Sequence, residues 1–391
     1  MKAVFSGATI FKNGRFEQGG ELSAHSTSFD SLFIDSTQYF IFPGFADLHV
    51  HFREPGFSYK ETIVTGNASA RSAGYTTVCT MPNLNPVPDS LENLKPQLDL
   101  IKSGADIRIL PFGSITKGEG GRALSDMEQI APFVCGYSDD GRGVDDSGLM
   151  KEAMQRARAL DKLISAHCED GTQIKDSPEA EWKQIERDIM LVDDIKCKYH
   201  VCHISTKESV ALIRDAKRSG VNITCETAPH YLTLSQKNIR DEGGFRMNPP
   251  LREEADRLAL IEGICDGTID MIATDHAPHS AEEKSKGLKS LNGIVGLETA
   301  FPILYTKLVK EGVIPLDRLI ELMAVNPYKR LGIEPNGYTV YSLDEQYVID
   351  PSTFNTKGRS TPYGGETVNG KCLATICDGR LVYIDKGLVK N

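Results

Sequence analysis

Along the middle of the chain, short apolar runs rich in β-branched residues alternate with stretches that have the spacing of amphipathic helices. Lys207–Arg218 is one such stretch, with its apolar residues at Val210, Leu212, Ile213 and Ala216. This alternation is typical of βα units that build a parallel sheet. It predicts eight strands, at Phe45–Val50, Tyr75–Thr80, Ile107–Pro111, Phe133–Tyr137, Leu163–Ala166, Tyr199–Ile204, Val221–Cys225 and Ile269–Ala273.

Eight βα units in about 290 residues predict an α/β fold, a (β/α)₈ barrel of the TIM type, over residues 43–339. A doubly wound open sheet is the competing fold. It is disfavoured because no glycine-rich phosphate loop follows the first strand.

Both ends of the chain have the texture of β structure, in residues 1–42 and 340–391. Asp378-Gly379 adds a hairpin turn signal near the C-terminal end. Neither end is long enough to bury a core alone, so we expect them to pair into one small β domain beside the barrel. The predicted runs are Ala3–Phe11, Ser31–Ile34, Gln38–Ile41, Gln346–Ile349, Thr367–Asn369, Cys372–Cys377 and Arg380–Ile384.

Composition and net charge disfavour some classes of function. The chain has 44 basic and 54 acidic residues, a formal charge of −10 and one Trp. This balance disfavours nucleic acid and anionic membranes as partners. There is no apolar run near the roughly 18 residues that cross a bilayer and no signal-like start, so we expect a cytoplasmic protein. The nine cysteines contain no CxxC pair and are expected to be buried thiols.

Histidines and aspartates lie at or just past the C-terminal ends of five predicted strands. In a (β/α)₈ barrel these ends meet at one mouth, where catalytic sites are built. Four imidazoles with two or three carboxylates there fit a two-metal hydrolase, in which a carboxylate bridges the cations. The residues are His49, His51, Asp139, Asp140, His167, His203 and Asp275.

Taken singly, these residues have plain structural explanations. His49 and His51, two positions apart, face the same side of a strand and can chelate one metal, but such a pair is weak evidence alone. Each of His167 and His203, taken alone, is better explained as a core histidine bonded to the backbone than as a metal ligand. Helix N-capping is the structural explanation for Asp275 and also for Asp139 and Asp140, and a turn explains these two adjacent aspartates equally well.

Three neighbouring residues carry other interpretations. Cys168 and Cys202 stand beside candidate histidines, but a Cys/His zinc site is disfavoured because hydrolytic zinc prefers nitrogen and oxygen donors. His200 is interpreted as a structural or surface histidine.

Eight stretches resemble the amidohydrolase superfamily, and most closely the class I dihydroorotases. They occur in the family's order and span most of the barrel. The stretches are Asp47–Gly56, Met81–Asn83, Ser138–Gly141, Ala166–Glu169, Cys202–Ser205, Met247–Arg252, Ala273–His279 and Gly293–Phe301.

The resemblance implies a ligand set for two Zn²⁺ ions per subunit. His49, His51 and Asp275 would hold one zinc, and His167 and His203 the other. Many relatives bridge the metals with a carboxylated lysine, whereas this chain resembles the branch that uses an aspartate together with a hydroxide. Spacing to His167 favours Asp140 over Asp139. Because aspartate is shorter than a carboxylated lysine, weak or partial occupancy of the second zinc site stays open as an alternative to full occupancy.

The resemblance also implies a substrate and a reaction. Arg53, Asn83 and His279 would bind a substrate carboxylate, for which a guanidinium offers a bidentate fork. Asn248 and the backbone around Asn292 and Gly293 would hold the ring amides, although relatives often have an aromatic residue or proline near position 292. The expected reaction is the reversible hydrolysis of dihydroorotate to N-carbamoyl-aspartate in pyrimidine biosynthesis, with Asp275 moving the proton.

Two alternatives and two partner hypotheses accompany this interpretation. Hydantoinases, dihydropyrimidinases and allantoinases share the barrel, but their substrates lack the ring carboxylate that Arg53 would bind. A metal-free barrel that supports another pyrimidine enzyme typically loses several ligands, whereas this chain retains all of them. A homodimer and an association with aspartate transcarbamoylase are the hypotheses for macromolecular partners.

Overall fold

The computed structural model describes residues 2–27 and 31–389. The strands are β1 Lys2–Lys12, β2 Arg15–His25, β3 Ser31–Asp35, β4 Phe40–Pro43, β5 Phe45–Val50, β6 Tyr75–Thr80, β7 Arg108–Ser114, β8 Gly136–Ser138, β9 Leu163–Ala166, β10 Lys198–Val201, β11 Ile223–Thr227, β12 Met271–Ile272, β13 Gly337–Val348, β14 Thr367–Cys377 and β15 Arg380–Ile384. The helices are α1 Ile63–Ser72, α2 Leu91–Gly104, α3 Met127–Ile130, α4 Ser147–Ala159, α5 Pro178–Ile195, α6 Lys207–Arg218, α7 Pro229–Thr233, α8 Glu254–Asp266, α9 Ala281–Lys284, α10 Leu297–Leu304, α11 Leu316–Ile320 and α12 Asn326–Leu331.

Strands β5 to β12 pair in parallel and in chain order, with helices between most of them, which confirms the predicted barrel. The bounds of β5, β6, β9 and α6 are those predicted from the sequence. Strand β8 covers Gly136–Ser138 rather than Phe133–Tyr137, and Phe133 belongs to a 3₁₀ turn, Ala131–Phe133, that has a proline in its first positions. Most strand interiors are buried, as expected of a parallel sheet covered by helices.

The barrel closes between β12 and β5 through side-chain and bridge contacts rather than a long ladder. Val50 and His276 form an isolated parallel bridge. The buried Asp47 carboxylate accepts hydrogen bonds from the backbone N–H of Thr274 at 3.1 Å and from its hydroxyl at 2.6 Å. It also accepts from the N–H of His49 at 2.9 Å. These bonds hold the ends of the first and last barrel strands together.

The two ends of the chain pair in one seven-stranded sheet, as predicted, in the order β2-β15-β14-β13-β4-β1-β3, with β2 also paired to β1. The antiparallel pairing of β13 with β4 connects the C-terminal segment to the N-terminal one. Strand β2 was not predicted, and β14 joins two predicted runs. β13 already begins at Gly337, and the domain boundaries at residues 42 and 340 stay predictions.

Two further expectations concern cysteines and membranes. All nine cysteines are unpaired thiols, and seven are buried, while Cys135 is partly exposed and Cys265 is exposed. Within residues 2–27 and 31–389, no helix has the length and apolar character needed to cross a bilayer.

An aromatic cluster packs the barrel against the terminal sheet. Phe301 on α10 lies 4.3 Å from Tyr341 on β13 and 5.4 Å from Phe45 on β5, measured between ring centroids. Phe42 on β4 lies 5.8 Å from Phe301. All four rings are buried, so the cluster joins elements from both parts of the fold in one core.

We expect Phe301→Ala to lower the free energy of unfolding by about 3–5 kcal/mol, because it leaves a cavity between the barrel and the terminal sheet. Phe33→Ala is the matched control, since Phe33 is 69% exposed and its truncation should cost less than about 0.5 kcal/mol. Urea unfolding of both variants measures the difference. Equal losses would show that the aromatic cluster does not stabilise the fold as described.

Candidate metal centre and active-site cavity

The C-terminal ends of the barrel strands surround a cavity of about 260 Å³. Eleven of the twelve residues predicted for the site line it, and the twelfth, His49, is fully buried beside it. The eleven are His51, Arg53, Asn83, Asp140, His167, His203, Asn248, Asp275, His279, Asn292 and Gly293.

Asp140, which follows β8, lies close to all four histidines. Its Oδ1 is 3.1 Å from His49 Nε2, and its Oδ2 is 3.4 Å from His51 Nε2. Oδ1 is also 3.7 Å from His167 Nδ1 and 3.7 Å from His203 Nε2. The carboxylate therefore stands between two pairs of imidazoles that come from four different strand ends.

Asp275 joins only the first pair of histidines. Its Oδ1 is 3.2 Å from His51 Nε2 and 3.6 Å from His49 Nε2. The next residue, His276, is fixed because its carbonyl accepts from the His51 N–H at 2.8 Å and its Nδ1 accepts from the Gly296 N–H at 3.2 Å. These bonds set the position of the Asp275 carboxylate relative to His51.

Irregular backbone follows several strands at the mouth. Arg53, His203 and Asp275 have φ values of +53°, +31° and +47°, in the left-handed region that non-glycine residues rarely adopt. Such conformations persist only where the surrounding structure enforces them, and they cluster at functional sites. Here they turn side chains from the strand ends toward the cavity.

The arrangement fits a cation. His49 Nε2 and Asp140 Oδ1 are buried and lack a hydrogen-bond partner, which would be costly unless another group satisfied them. Two groups of three ligand atoms share Asp140: His49, His51 and Asp140, and Asp140, His167 and His203. Imidazole nitrogen and carboxylate oxygen are the donors that hydrolytic zinc and similar divalent metals prefer.

The outer ring nitrogens of three histidines are held by acceptors. His49 Nδ1 donates to Glu226 at 3.0 Å, and His51 Nδ1 donates to the amide oxygen of Asn83 at 2.8 Å. His167 Nε2 donates to the Glu169 carboxylate at 3.1 Å. In the neutral form of each ring, which is the form that binds a metal, the bond leaves the lone pair on the other ring nitrogen, which faces Asp140.

Asp139 and Asp140 have different surroundings. The Asp139 carboxylate accepts from the backbone N–H groups of Ile115 and Thr116, at 2.8 and 3.0 Å, and from the Thr116 hydroxyl. It thereby fixes the loop after β8 to the loop after β7. Asp140 instead points at the imidazoles, which is the arrangement that the sequence favoured.

The buried charges at this site stabilise one another. Burial would lower the pKa of His49, but the Asp140 carboxylate raises it well above its usual value. Burial would likewise raise the pKa of Asp140, yet the histidines, His49 foremost, hold it well below its usual value. The pKa of Asp275 falls to about 2 because hydrogen bonding to His51 and the charges of the histidines outweigh burial. Both carboxylates are therefore ionised at neutral pH.

The other end of the cavity is basic. Arg53 is nearly buried, and its guanidinium donates to the carbonyl of Pro278 at 3.3 Å and lies 3.5 Å from His279 Nε2. Burial and the charges of Arg53 and Lys60 lower the pKa of His279 to about 4, so this imidazole is neutral at pH 7. The guanidinium is thus the charged group placed to meet an anion here.

The remaining predicted substrate residues are already engaged. Asn248 Nδ2 donates to Glu169 at 3.0 Å. The Asn292 carbonyl accepts from His279 Nε2 at 2.8 Å, and the Gly293 N–H donates to the Arg246 carbonyl at 3.0 Å. Gly293 has φ +133°, and a Cβ there would lie 2.5 Å from the Ala277 carbonyl oxygen. Position 293 therefore requires glycine, because the carbonyl of Ala277 leaves no room for a side chain.

Sequence reasoning missed two acidic residues of this site, Glu226 and Glu169, and assigned His200 no place in it. His200 is fully buried rather than at the surface, and its Nε2 lies 2.9 Å from Glu226. A charged residue within a buried barrel strand was the available signal for Glu226, because a buried carboxylate needs partners.

Comparisons with known proteins agree with this architecture. A family profile described as Dihydro-orotase-like matches residues 39–182. Solved structures with the same fold include an L-hydantoinase from Arthrobacter aurescens, with a TM-score of 0.86 and 22% identity over 98% of this chain and 96% of that one. A dihydropyrimidinase from Brevibacillus agri has a TM-score of 0.86 and 20% identity, over 99% and 96%. At this identity the likeness shows the fold alone.

Sequence relatives are much more similar. A dihydroorotase of Fusobacterium nucleatum is 46% identical over 415 aligned residues, which cover 96% of this chain and 97% of the relative. A dihydroorotase of Listeria innocua is 47% identical over 89% of this chain and 88% of the relative. Similarity of this extent shows that the chain belongs to the dihydroorotase family of cyclic amidohydrolases.

Proposed function

We propose that this enzyme catalyses the reversible hydrolysis of dihydroorotate to N-carbamoyl-aspartate, a step of pyrimidine biosynthesis. Water cleaves the ring amide: the bond between the carbonyl carbon and the ring nitrogen breaks, the carbon gains the hydroxyl and the nitrogen gains the proton. The observation that carries the proposal is one cavity in which Asp140 contacts four imidazoles, with the Arg53 guanidinium also on its wall.

The metal assignment follows the grouping of the side chains. His49, His51 and Asp275 would hold one Zn²⁺, His167 and His203 would hold a second, and Asp140 would contact both. Bound zinc would generate a nucleophile from water at neutral pH and polarise the ring carbonyl. The identity of the metal and the number of ions belong to this proposal, as does weaker binding at the His167 and His203 position.

Asp275 is the proposed proton carrier. Its carboxylate is ionised at neutral pH, because its neighbours lower its pKa to about 2. It can therefore take a proton from the attacking water on one oxygen and deliver it to the departing ring nitrogen. In the synthetic direction the same carboxylate would accept that proton from nitrogen.

The basic end of the cavity would orient the substrate. The Arg53 guanidinium would bind the ring carboxylate through charge-assisted hydrogen bonds, with help from Asn83 and His279. Asn248, Asn292 and Gly293 would face the ring amides. Gly293 and the carbonyl of Asn292 would act mainly by shaping the wall, because their backbone hydrogen bonds are already made.

Location and assembly are part of the same proposal. An enzyme of this pathway would act in the cytoplasm. A homodimer and an association with aspartate transcarbamoylase stay predictions.

A substrate comparison tests the proposed activity. We expect turnover of dihydroorotate, and of N-carbamoyl-aspartate in the reverse direction, to exceed that of hydantoin and allantoin by at least about 100-fold, since the latter lack the carboxylate for Arg53. Zinc content should be quantified on the same sample. Preferred turnover of hydantoin, or turnover unaffected by complete removal of metal, would contradict the proposal.

The bridging role is tested by two neighbouring substitutions. Asp140→Asn should reduce the zinc retained after gel filtration by more than half, because the group shared by both ligand sets loses its charge. Asp139→Asn is the matched control and should retain zinc, since its carboxylate accepts hydrogen bonds from the loop at Ile115 and Thr116 rather than facing the histidines. Elemental analysis of both variants gives the result, and the reverse ranking would assign the bridge to Asp139.

The substrate role of Arg53 is tested by kinetics. Arg53→Met should raise KM for dihydroorotate about 10- to 100-fold, because a charge-assisted hydrogen-bond pair is lost. Arg108→Met is the control: Arg108 donates to the carbonyl of Glu334, and KM should not change. A large loss of kcat with an unchanged KM would remove Arg53 from substrate binding.

A further inference from the structure

A hydrogen-bonded series of buried polar side chains leads from His49 away from the cavity and into the barrel wall. His49 Nδ1 lies 3.0 Å from one oxygen of Glu226. The other oxygen lies 2.9 Å from His200 Nε2, and His200 Nδ1 lies 2.9 Å from the Thr224 hydroxyl. His49, His200 and Glu226 are each fully buried, so solvent does not complete their hydrogen bonds.

The backbone places these groups. His200 on β10 is paired in register with Thr224 on the neighbouring β11. Glu226 is two residues further along β11 and therefore points to the same face as Thr224. The contact between His200 and Glu226 is thus set by strand register, and it does not depend on a flexible loop.

The hydrogen bonds of this series have defined donors and acceptors. A carboxylate only accepts, so both facing ring nitrogens donate to Glu226. In the neutral ring, donation from His49 Nδ1 leaves the lone pair on His49 Nε2, which lies 3.1 Å from Asp140 Oδ1 and would face the proposed cation. A carboxylate behind a ligand histidine fixes its tautomer and ring orientation and makes it a stronger donor.

We infer that Glu226 and His200 are positioning residues of the metal centre: Glu226 orients and polarises His49, and His200 holds Glu226 in place. The inference rests on the proposed metal site and is independent of the identity of the substrate. Neither residue touches the cavity, and both act only through His49.

A purely structural role is the competing explanation, because a buried charged network can stabilise the barrel without influencing the metal. The two explanations differ in what a substitution changes. Loss of a structural contact lowers the stability of the metal-free protein and leaves the zinc affinity of the folded protein intact. Loss of a positioning contact lowers the zinc affinity as well.

Glu226→Gln and His200→Gln are the informative variants. The glutamine at 226 keeps the shape and one acceptor oxygen for His49 but removes the charge. Asp188→Asn is the matched control, because Asp188 is equally buried and accepts from Tyr199 at 2.6 Å and Arg187 at 2.9 Å, neither of which is a proposed ligand. It reproduces the cost of altering a buried carboxylate without a link to His49.

Zinc affinity would be measured on metal-stripped full-length protein by competition with a chromophoric chelator, and the melting temperature of each stripped protein would be recorded. We expect Glu226→Gln to weaken zinc binding about 10- to 100-fold. His200→Gln should have a smaller effect, because Glu226 remains. Asp188→Asn should lower the melting temperature while its zinc affinity stays within about twofold of the parent chain.

Several results would overturn the inference. One is a zinc affinity for Glu226→Gln within twofold of the parent, and another is an equal loss of affinity in Asp188→Asn. If Glu226→Gln does not fold, His200→Gln decides the matter. If neither folds, their role is structural and the inference is wrong. Parent protein that binds no zinc refutes the metal site itself, whereas parent protein that binds zinc but does not hydrolyse dihydroorotate refutes only the proposed function.

Discussion

The carboxylate of Asp140, buried among four imidazoles, is the constraint on which the rest of the site depends. Its oxygens lie between 3.1 and 3.7 Å from a ring nitrogen of each histidine. A charge removed from water at this depth is tolerated only when neighbouring groups compensate it. The barrel supplies that compensation by bringing four strand ends to one point, which no local segment of the chain could do.

The regular barrel strands hold the irregular backbone at their C-terminal ends in place. Strands β5 to β12 pair in parallel in chain order, and the contacts of Asp47 with Thr274 join the first and last strands. This framework can enforce left-handed conformations at His203 and Asp275, which a mobile loop would not retain. The geometry of the predicted ligands is therefore a property of the whole barrel.

The barrel and the histidines and aspartates at its mouth could be predicted from local pattern, whereas the substrate residues came only from the resemblance to the family. β5 and β9 are compact apolar runs with sharp ends, so their bounds follow directly. Strand β2 is mostly exposed and contains paired glycines, and its pairing with β1 comes from tertiary contacts rather than alternation. The contact of His200 with Glu226 escaped prediction for a related reason: it depends on the register of two strands, which one strand's sequence does not encode.

The two ends of the cavity differ in the hydrogen-bond and ion-pair partners that the protein supplies to their side chains. At the metal end, Glu226, Asn83 and Glu169 hold the outer nitrogens of three histidines. At the basic end, Arg53 has a carbonyl and an imidazole within reach, and no carboxylate of residues 2–27 or 31–389 forms an ion pair with it. A nearly buried guanidinium without an anionic partner gains most from a ligand that carries a carboxylate. Under the proposed function, this guanidinium is the group that distinguishes ring substrates with a carboxylate from those without one, and selectivity can arise there without any change at the metal end.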